Sequence, residues 1–124
     1  MPKKILLVDD DMLMHMLYRP HLERAGFELI SVKNGREALE TAVREAPCLI
    51  LMDIMMPETD GLTALRELKK DDATKSIPVI IITANLGAAA TSRKESASSG
   101  AASFLTKPLS PAQLIDEIRR LLPA

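Results

Sequence analysis

Short runs of apolar residues alternate along the chain with longer segments in which apolar residues recur at helical spacing. This alternation predicts strands separated by helices, as in βαβ units that form a mostly parallel sheet. The runs CLILM and VIII have no polar residue between the apolar ones, which is typical of strands covered on both faces. The predicted strands are Ile5–Val8, Phe27–Val32, Cys48–Met52, Val79–Ile82 and Ala102–Leu105.

Start and stop signals place helices between these strands. The first is predicted from Asp11 to Ala25, ended by Gly26, with a kink or irregularity at Pro20 because proline lacks the N–H that a helix interior uses. A second helix opens at Asn34-Gly35, and a third follows the segment PETDG. Their predicted apolar faces are Ala38, Leu39, Ala42 and Val43 in the second helix, and Leu62, Leu65 and Leu68 in the third.

The last helix has the clearest start signal, in the segment LSPAQL. Ser110 can cap it, Pro111 suits the first helical position, and Gln113 completes a capping box. Residues 85–102, before the fifth predicted strand, are rich in Ala and Ser and poor in large apolar side chains. We expect a loop there, followed by a helix that is weakly held to the core.

Composition excludes several classes of protein. The chain has 124 residues, 47% of them hydrophobic, which suits one globular domain. Sixteen basic and 17 acidic residues give no broad electrostatic reason to bind nucleic acid or an anionic membrane. Cys48 is the single cysteine, and no apolar run approaches the roughly 20 residues of a membrane span. We expect a cytoplasmic domain over residues 1–124 without an output domain.

Acidic and basic residues follow the predicted strands. In the segment ILLVDDDM, three carboxylates directly follow a buried run, where each like-charged pair costs on the order of 4 kcal/mol at about 4 Å and an effective dielectric near 20. Asp53 ends the third strand, Thr83 the fourth and Lys107 the fifth. In open α/β sheets, functional residues gather at such carboxyl ends. A positive partner for the carboxylates is therefore expected at this edge.

The order acid pair, acid, hydroxyl and lysine-proline resembles that of the receiver domains of response regulators in two-component signalling. The resemblance extends from Lys4 to Leu122 and implies a doubly wound, flavodoxin-like (βα)5 sandwich with strand order 2-1-3-4-5 and helices on both faces. It also implies Mg²⁺, or Mn²⁺ in its place, as cofactor. The implied ligands are the carboxylates of Asp9, Asp10 and Asp53 and the backbone carbonyl of Met55; hard cations prefer such oxygen ligands.

The same resemblance implies roles for the remaining residues. Asp53 is the implied phosphoacceptor. Lys107 is implied to pair with the Asp53 carboxylate before phosphorylation and with a phosphoryl oxygen afterwards, and Thr83 is implied to donate to another phosphoryl oxygen. A cis peptide bond between Lys107 and Pro108 would aim the lysine. Phe104, three residues before the lysine, occupies the place of an aromatic switch residue that turns inward when Thr83 moves.

The implied function is a phosphorelay switch. A histidine kinase or a histidine phosphotransfer protein would supply the phosphoryl group, and the modified protein would contact a downstream protein target. We expect no direct nucleic-acid binding and no membrane insertion, but phosphorylation could promote a dimer. The protein would not be an enzyme, apart from catalysing its own phosphorylation and dephosphorylation.

Two other functions stay open at this point. The pair Asp9-x-Asp11 resembles the paired aspartates of haloacid-dehalogenase-type, metal-dependent phosphohydrolases, although nothing resembles their cap domain. The chain could also be a receiver-like module that binds partners without phosphorylation. For Asp11 a local role is preferred, since an acid at a helix N-terminus caps it and is favoured by the macrodipole.

Overall fold

The computed structural model describes residues 3–53, 61–83, 97–107 and 109–122. In these ranges it contains five strands and four helices. The order along the sheet is β2-β1-β3-β4-β5, and all adjacent strands are parallel. The predicted doubly wound fold and strand order are confirmed. The elements are β1 (Lys3–Val8), α1 (Met12–Arg24), β2 (Phe27–Val32), α2 (Gly35–Glu45), β3 (Leu49–Met52), α3 (Gly61–Lys70), β4 (Val79–Thr83), β5 (Ser103–Thr106) and α4 (Pro111–Leu121).

The sheet separates two apolar clusters because successive side chains of a strand point to opposite faces. In β1, Leu6 and Val8 pack with α2 and α3, whereas Ile5 and Leu7 pack with α1 and α4. The side chains of β3 and β4 divide in the same way. This arrangement explains why the central strands are continuously apolar in sequence, since both faces are covered by helices.

The helix caps follow the predicted signals. The Asp11 carboxylate accepts the Leu13 N–H at 3.0 Å and caps α1, which confirms its local role. Ser110 and Gln113 form the predicted capping box of α4. Gly26 adopts a φ of 96°, a left-handed conformation that glycine takes without strain, and thereby ends the α1 segment.

One detail of the second helix differs from the sequence prediction. The prediction that Val43 belongs to the buried face of α2 is wrong: its side chain is 48% exposed, whereas Thr41 is buried. Each residue advances a helix by about 100°, so Val43 lies beyond the buried stripe centred on Ala38 and Ala42. In the first helix, by contrast, α1 continues past Pro20 to Arg24 as predicted, and the proline lies on the exposed face.

The helix predicted in residues 85–102 lies mostly outside the described residues, although Ala97 and Ser98 are helical. None of the four helices in the described ranges combines the length and the apolar character needed to cross a bilayer.

Candidate functional site

Backbone hydrogen bonds extend the sheet by one residue at its carboxyl edge. The N–H of Asp9 donates to the Val32 carbonyl at 3.1 Å, and the N–H of Asp53 donates to the Val8 carbonyl at 3.0 Å. At the far side, the N–H of Lys107 donates to the Thr83 carbonyl at 2.9 Å. These bonds hold residues from the ends of all five strands at one edge of the sheet.

An ion-pair triad lies at this edge. The Lys107 Nζ is 3.0 Å from Oδ2 of Asp9 and 3.0 Å from Oδ2 of Asp53. The side chains are 15%, 4% and 8% exposed, respectively. The ammonium group is therefore a positive partner for both carboxylates, which accounts for acidic residues directly after buried strands.

The charge on Lys107 is favoured by these contacts. Burial alone pulls the pKa of the lysine downward, because it disfavours the charged form. The hydrogen bonds and charges of Asp53 and Asp9 together outweigh burial, so the pKa lies above its ordinary value of 10.5. Lys107 is accordingly an ammonium ion at neutral pH.

Three carboxylates at this edge could hold a metal ion. Asp9, Asp10 and Asp53 each offer an oxygen within 4.8 Å of the others, with Asp10 exposed and the other two buried. The oxygen ligands of one octahedral Mg²⁺ lie about 3 to 4 Å apart, close to this spacing. An all-oxygen set of this kind fits a hard divalent cation rather than a soft one. The residues present therefore fit Mg²⁺.

Asp9 is held at several of its atoms. Its Oδ1 accepts the Asp11 N–H at 2.9 Å, while Oδ2 accepts from Lys107. Its backbone carbonyl lies 2.8 Å from Nε2 of His15. The sequence predicted that Lys107 pairs with Asp53, but it did not predict that Asp9 shares the same ammonium.

Thr83 and Phe104 lie on adjacent strands beside the triad. Thr83 is fully buried at the end of β4, and its register partner on β5 is Thr106, next to Lys107. Phe104 is partly buried and packs against the cluster under α2 and α3, with Ile81 as its register partner. The structure thus places the predicted hydroxyl and the predicted aromatic residue on neighbouring strands.

Several predicted features lie outside the described residues. These are the Met55 carbonyl as a metal ligand and the peptide bond between Lys107 and Pro108. Most of the Ala/Ser-rich segment also lies there. They stay predictions.

Two buried polar residues of α1, His15 and Tyr18, were not predicted from the sequence. Both lie on the inner face of the helix with Leu22, and the spacing of three and four residues places all three on one side. That spacing was the available signal. It was hidden because the opposite side of α1 is also apolar, so the helix shows no clear polar face.

The family model and the curated relatives that match this chain indicate the same protein family. The family model described as "Response regulator receiver domain" matches residues 5–119. The polar-differentiation response regulator DivK of Brucella anthropi is 38% identical over 122 residues, which is 98% of both chains. The response regulator PleD of Caulobacter vibrioides is 40% identical over 121 residues, but the chain spans only 26% of its length.

Solved structures agree with this result. The chemotaxis response regulator CheY4 of Vibrio cholerae is 27% identical, with a TM-score of 0.89 and coverage of 98% of this chain and 100% of that one. The receiver domain of sensor histidine kinase PA1611 from Pseudomonas aeruginosa is 30% identical, with a TM-score of 0.86 and 97% coverage of each chain. That structure contains a magnesium ion coordinated in the active-site cleft.

Proposed function

Because this chain belongs to the response regulator receiver domain family of two-component signalling, we propose that Asp53 accepts a phosphoryl group and thereby switches a protein-binding surface. One observation carries this proposal: the buried Asp53 carboxylate shares the Lys107 ammonium with Asp9, beside a third carboxylate on Asp10. A nucleophile, a fixed positive charge and a set of oxygen ligands are thus combined at one sheet edge.

The chemistry follows from the nucleophilic carboxylate of Asp53 and its charged neighbour. A carboxylate oxygen of Asp53 attacks the phosphorus atom of a phosphohistidine, with the Lys107 ammonium held 3.0 Å from Oδ2 of the same carboxylate. The new P–O bond forms as the P–N bond of the donor breaks, and the electron pair of that bond leaves with the imidazole nitrogen. The transfer requires stabilisation of charge on the phosphoryl oxygens more than covalent help from the protein.

The residues around Asp53 supply that stabilisation. Bound Mg²⁺, or Mn²⁺ in its place, would neutralise phosphoryl charge, with Asp9, Asp10, Asp53 and the Met55 carbonyl as its proposed ligands. Lys107 remains charged and can pair with a phosphoryl oxygen once Asp53 is modified. We assign to Thr83 a hydrogen bond to a second phosphoryl oxygen.

The signal reaches the surface through β4 and β5. When the Thr83 side chain turns toward the phosphoryl group, it leaves space that the Phe104 ring can fill. Moving a two-state equilibrium from 1:99 to 99:1 needs roughly 5.5 kcal/mol of differential interaction, so the downstream protein target completes the shift by binding the active form.

We further propose that residues 1–124 act as one receiver domain in the cytoplasm, without chemistry on any other substrate. The proposed donor is a histidine kinase or a histidine phosphotransfer protein. Support comes from the named relatives, which are response regulators.

The outer face of α1 supports a protein donor. Its first two turns expose four large apolar side chains: Met12, Leu13, Met16 and Leu17 are 44%, 71%, 68% and 47% exposed. This stripe starts two residues after Asp10, at the rim of the carboxylate cluster. A donor that brings its phosphohistidine to Asp53 has to cover the neighbouring surface, and an apolar helix face would fit a stripe of this spacing.

Replacing Met16 with Glu is expected to slow phosphoryl transfer from the protein donor at least ~10-fold, because it places a charge in the apolar contact. Labelling by acetyl phosphate should not change, since that small donor does not need the stripe. The matched control is Val43→Glu, an equally apolar exposed site (48%) on a helix at the opposite face of the sheet. Equal slowing by both variants would contradict a donor site on α1.

Chemical mapping tests the function itself. The protein is incubated with acetyl phosphate and Mg²⁺, and borohydride reduction then converts any aspartyl phosphate to homoserine, which peptide mass spectrometry locates. Homoserine at position 53 is the expected result. Homoserine at position 9 would favour the phosphohydrolase alternative. If no homoserine forms at any position and beryllofluoride does not bind, the result would favour a module that is not phosphorylated.

A further inference from the structure

Two buried polar side chains on the inner face of α1 contact two of the three loops that carry the ion-pair triad. His15 and Tyr18 are 2% and 1% exposed. The His15 Nε2 lies 2.8 Å from the Asp9 carbonyl, and because a carbonyl only accepts, Nε2 must carry the hydrogen. The Tyr18 hydroxyl donates to the carbonyl of Leu109, two residues after Lys107, at 3.1 Å.

These two bonds join loops that are distant in sequence. Asp9 follows β1, whereas Leu109 lies between β5 and α4, and one rigid helix is hydrogen-bonded to both. We propose that His15 and Tyr18 are positioning residues, which fix the separation of Asp9 and Lys107 and thereby hold Asp53 in its reactive orientation. This inference rests on the proposed function of Asp53.

Stability alone does not account for His15. Its Nδ1 is buried and has no hydrogen-bond partner within the described part of the chain. A buried polar atom without a partner costs free energy, and an apolar residue of similar size would avoid that cost. The bond from Nε2 to the Asp9 carbonyl is the feature that an apolar residue could not supply.

The Tyr18 hydroxyl is close enough to the triad to sense its charges. Burial is the main cause that raises the pKa of Tyr18 above 10.0, while Lys107 lowers it and Asp9 raises it. The hydroxyl is therefore protonated at neutral pH and remains a donor to the Leu109 carbonyl.

The Tyr18→Phe variant tests the proposal because it removes only the hydroxyl. We expect its maximal rate of labelling by acetyl phosphate to fall about 10-fold or more, since small misplacements of reacting groups are costly. The concentration of acetyl phosphate at half-maximal rate should stay unchanged. The matched control is Thr74→Val, which removes another buried hydroxyl, bonded to the Leu68 carbonyl at 2.6 Å.

The His15→Leu variant is a second test of the proposal. Loss of positioning predicts slower labelling without a matching loss of thermal stability. The double variant, with both substitutions, should be little slower than the slower single variant, because both hydrogen bonds fix the same separation of Asp9 and Lys107. Unchanged labelling in Tyr18→Phe would overturn the proposal. The proposal would also be overturned if labelling slowed in both Tyr18→Phe and Thr74→Val in proportion to the stability that each variant loses.

A readout without phosphorylation separates this proposal from the function of Asp53. The ¹⁵N chemical shift and solvent exchange of the Lys107 ammonium report the ion pair directly by NMR. Positioning predicts faster exchange in Tyr18→Phe and His15→Leu, but not in Thr74→Val. If the wild type is never labelled, the proposed function fails, and unchanged exchange in both α1 variants would independently refute the positioning role.

Discussion

The free energy of unfolding of the Lys107→Ala variant is expected to be about 3–5 kcal/mol lower than that of the wild type when no divalent cation is present. Removal of the ammonium leaves Asp9 and Asp53, both nearly buried, facing each other without their shared counter-charge. Urea denaturation in chelator measures this loss.

Divalent cation should restore most of that stability, because it would bind the folded carboxylate cluster and not the unfolded chain. A ligand at 100 times its dissociation constant stabilises by about 2.7 kcal/mol. Because the variant lacks the ammonium that pairs with Asp9 and Asp53 in the wild type, it should gain more stability from Mg²⁺ than the wild type does.

The control for this prediction is Lys75→Ala. Lys75 forms an exposed ion pair with Asp72, at 3.0 Å, so its loss should cost only about 0–1 kcal/mol and should not respond to Mg²⁺. If Lys107→Ala lost no more than Lys75→Ala, the triad would have little energetic importance in the folded protein.

The second large effect is expected for Asp53→Asn, which should lower labelling by acetyl phosphate or phosphohistidine to background. The amide keeps the shape of the carboxylate but not its nucleophilic oxygen. Its carbonyl can still accept from Lys107, which also keeps Asp9 as partner. The free energy of unfolding should therefore change by only about 1 kcal/mol.

The comparison variant is Asp116→Asn, an exposed carboxylate on α4 without an ion-pair partner among the described residues. Its labelling should equal that of the wild type. Persistent labelling of the Asp53→Asn protein would show that Asp53 is not the phosphoacceptor and would make Asp9 the candidate.

Much of the fold could be predicted because local and long-range signals agree. The alternation of Leu6 and Leu7 between two apolar clusters requires a run without polar residues, and that run is visible in the sequence. Ser110 and Gln113 likewise fix the start of α4 through local hydrogen bonds alone. Val43 was misplaced because spacing shows which residues share a stripe but not where that stripe ends.

The site was only partly predictable for a physical reason. That Asp9, Asp53 and Lys107 approach each other follows from parallel strands ending at one edge, so topology was sufficient. The sharing of one ammonium depends on side-chain rotamers, which no spacing rule specifies. The bonds of His15 and Tyr18 depend on which side of α1 faces inward, and because the first two turns of this helix are apolar on the outer side as well, only the packed structure decides that.

The different environments of Asp9 and Asp10 have a consequence for selection among cations. Asp9 is fastened through both carboxylate oxygens and its carbonyl, whereas Asp10 is exposed. An exposed carboxylate can shift more easily than one held by several hydrogen bonds, so the cluster can follow small changes in ionic radius. Manganese should therefore replace magnesium with little loss of affinity, while the larger calcium ion, which prefers six to eight ligands, should be accommodated less well.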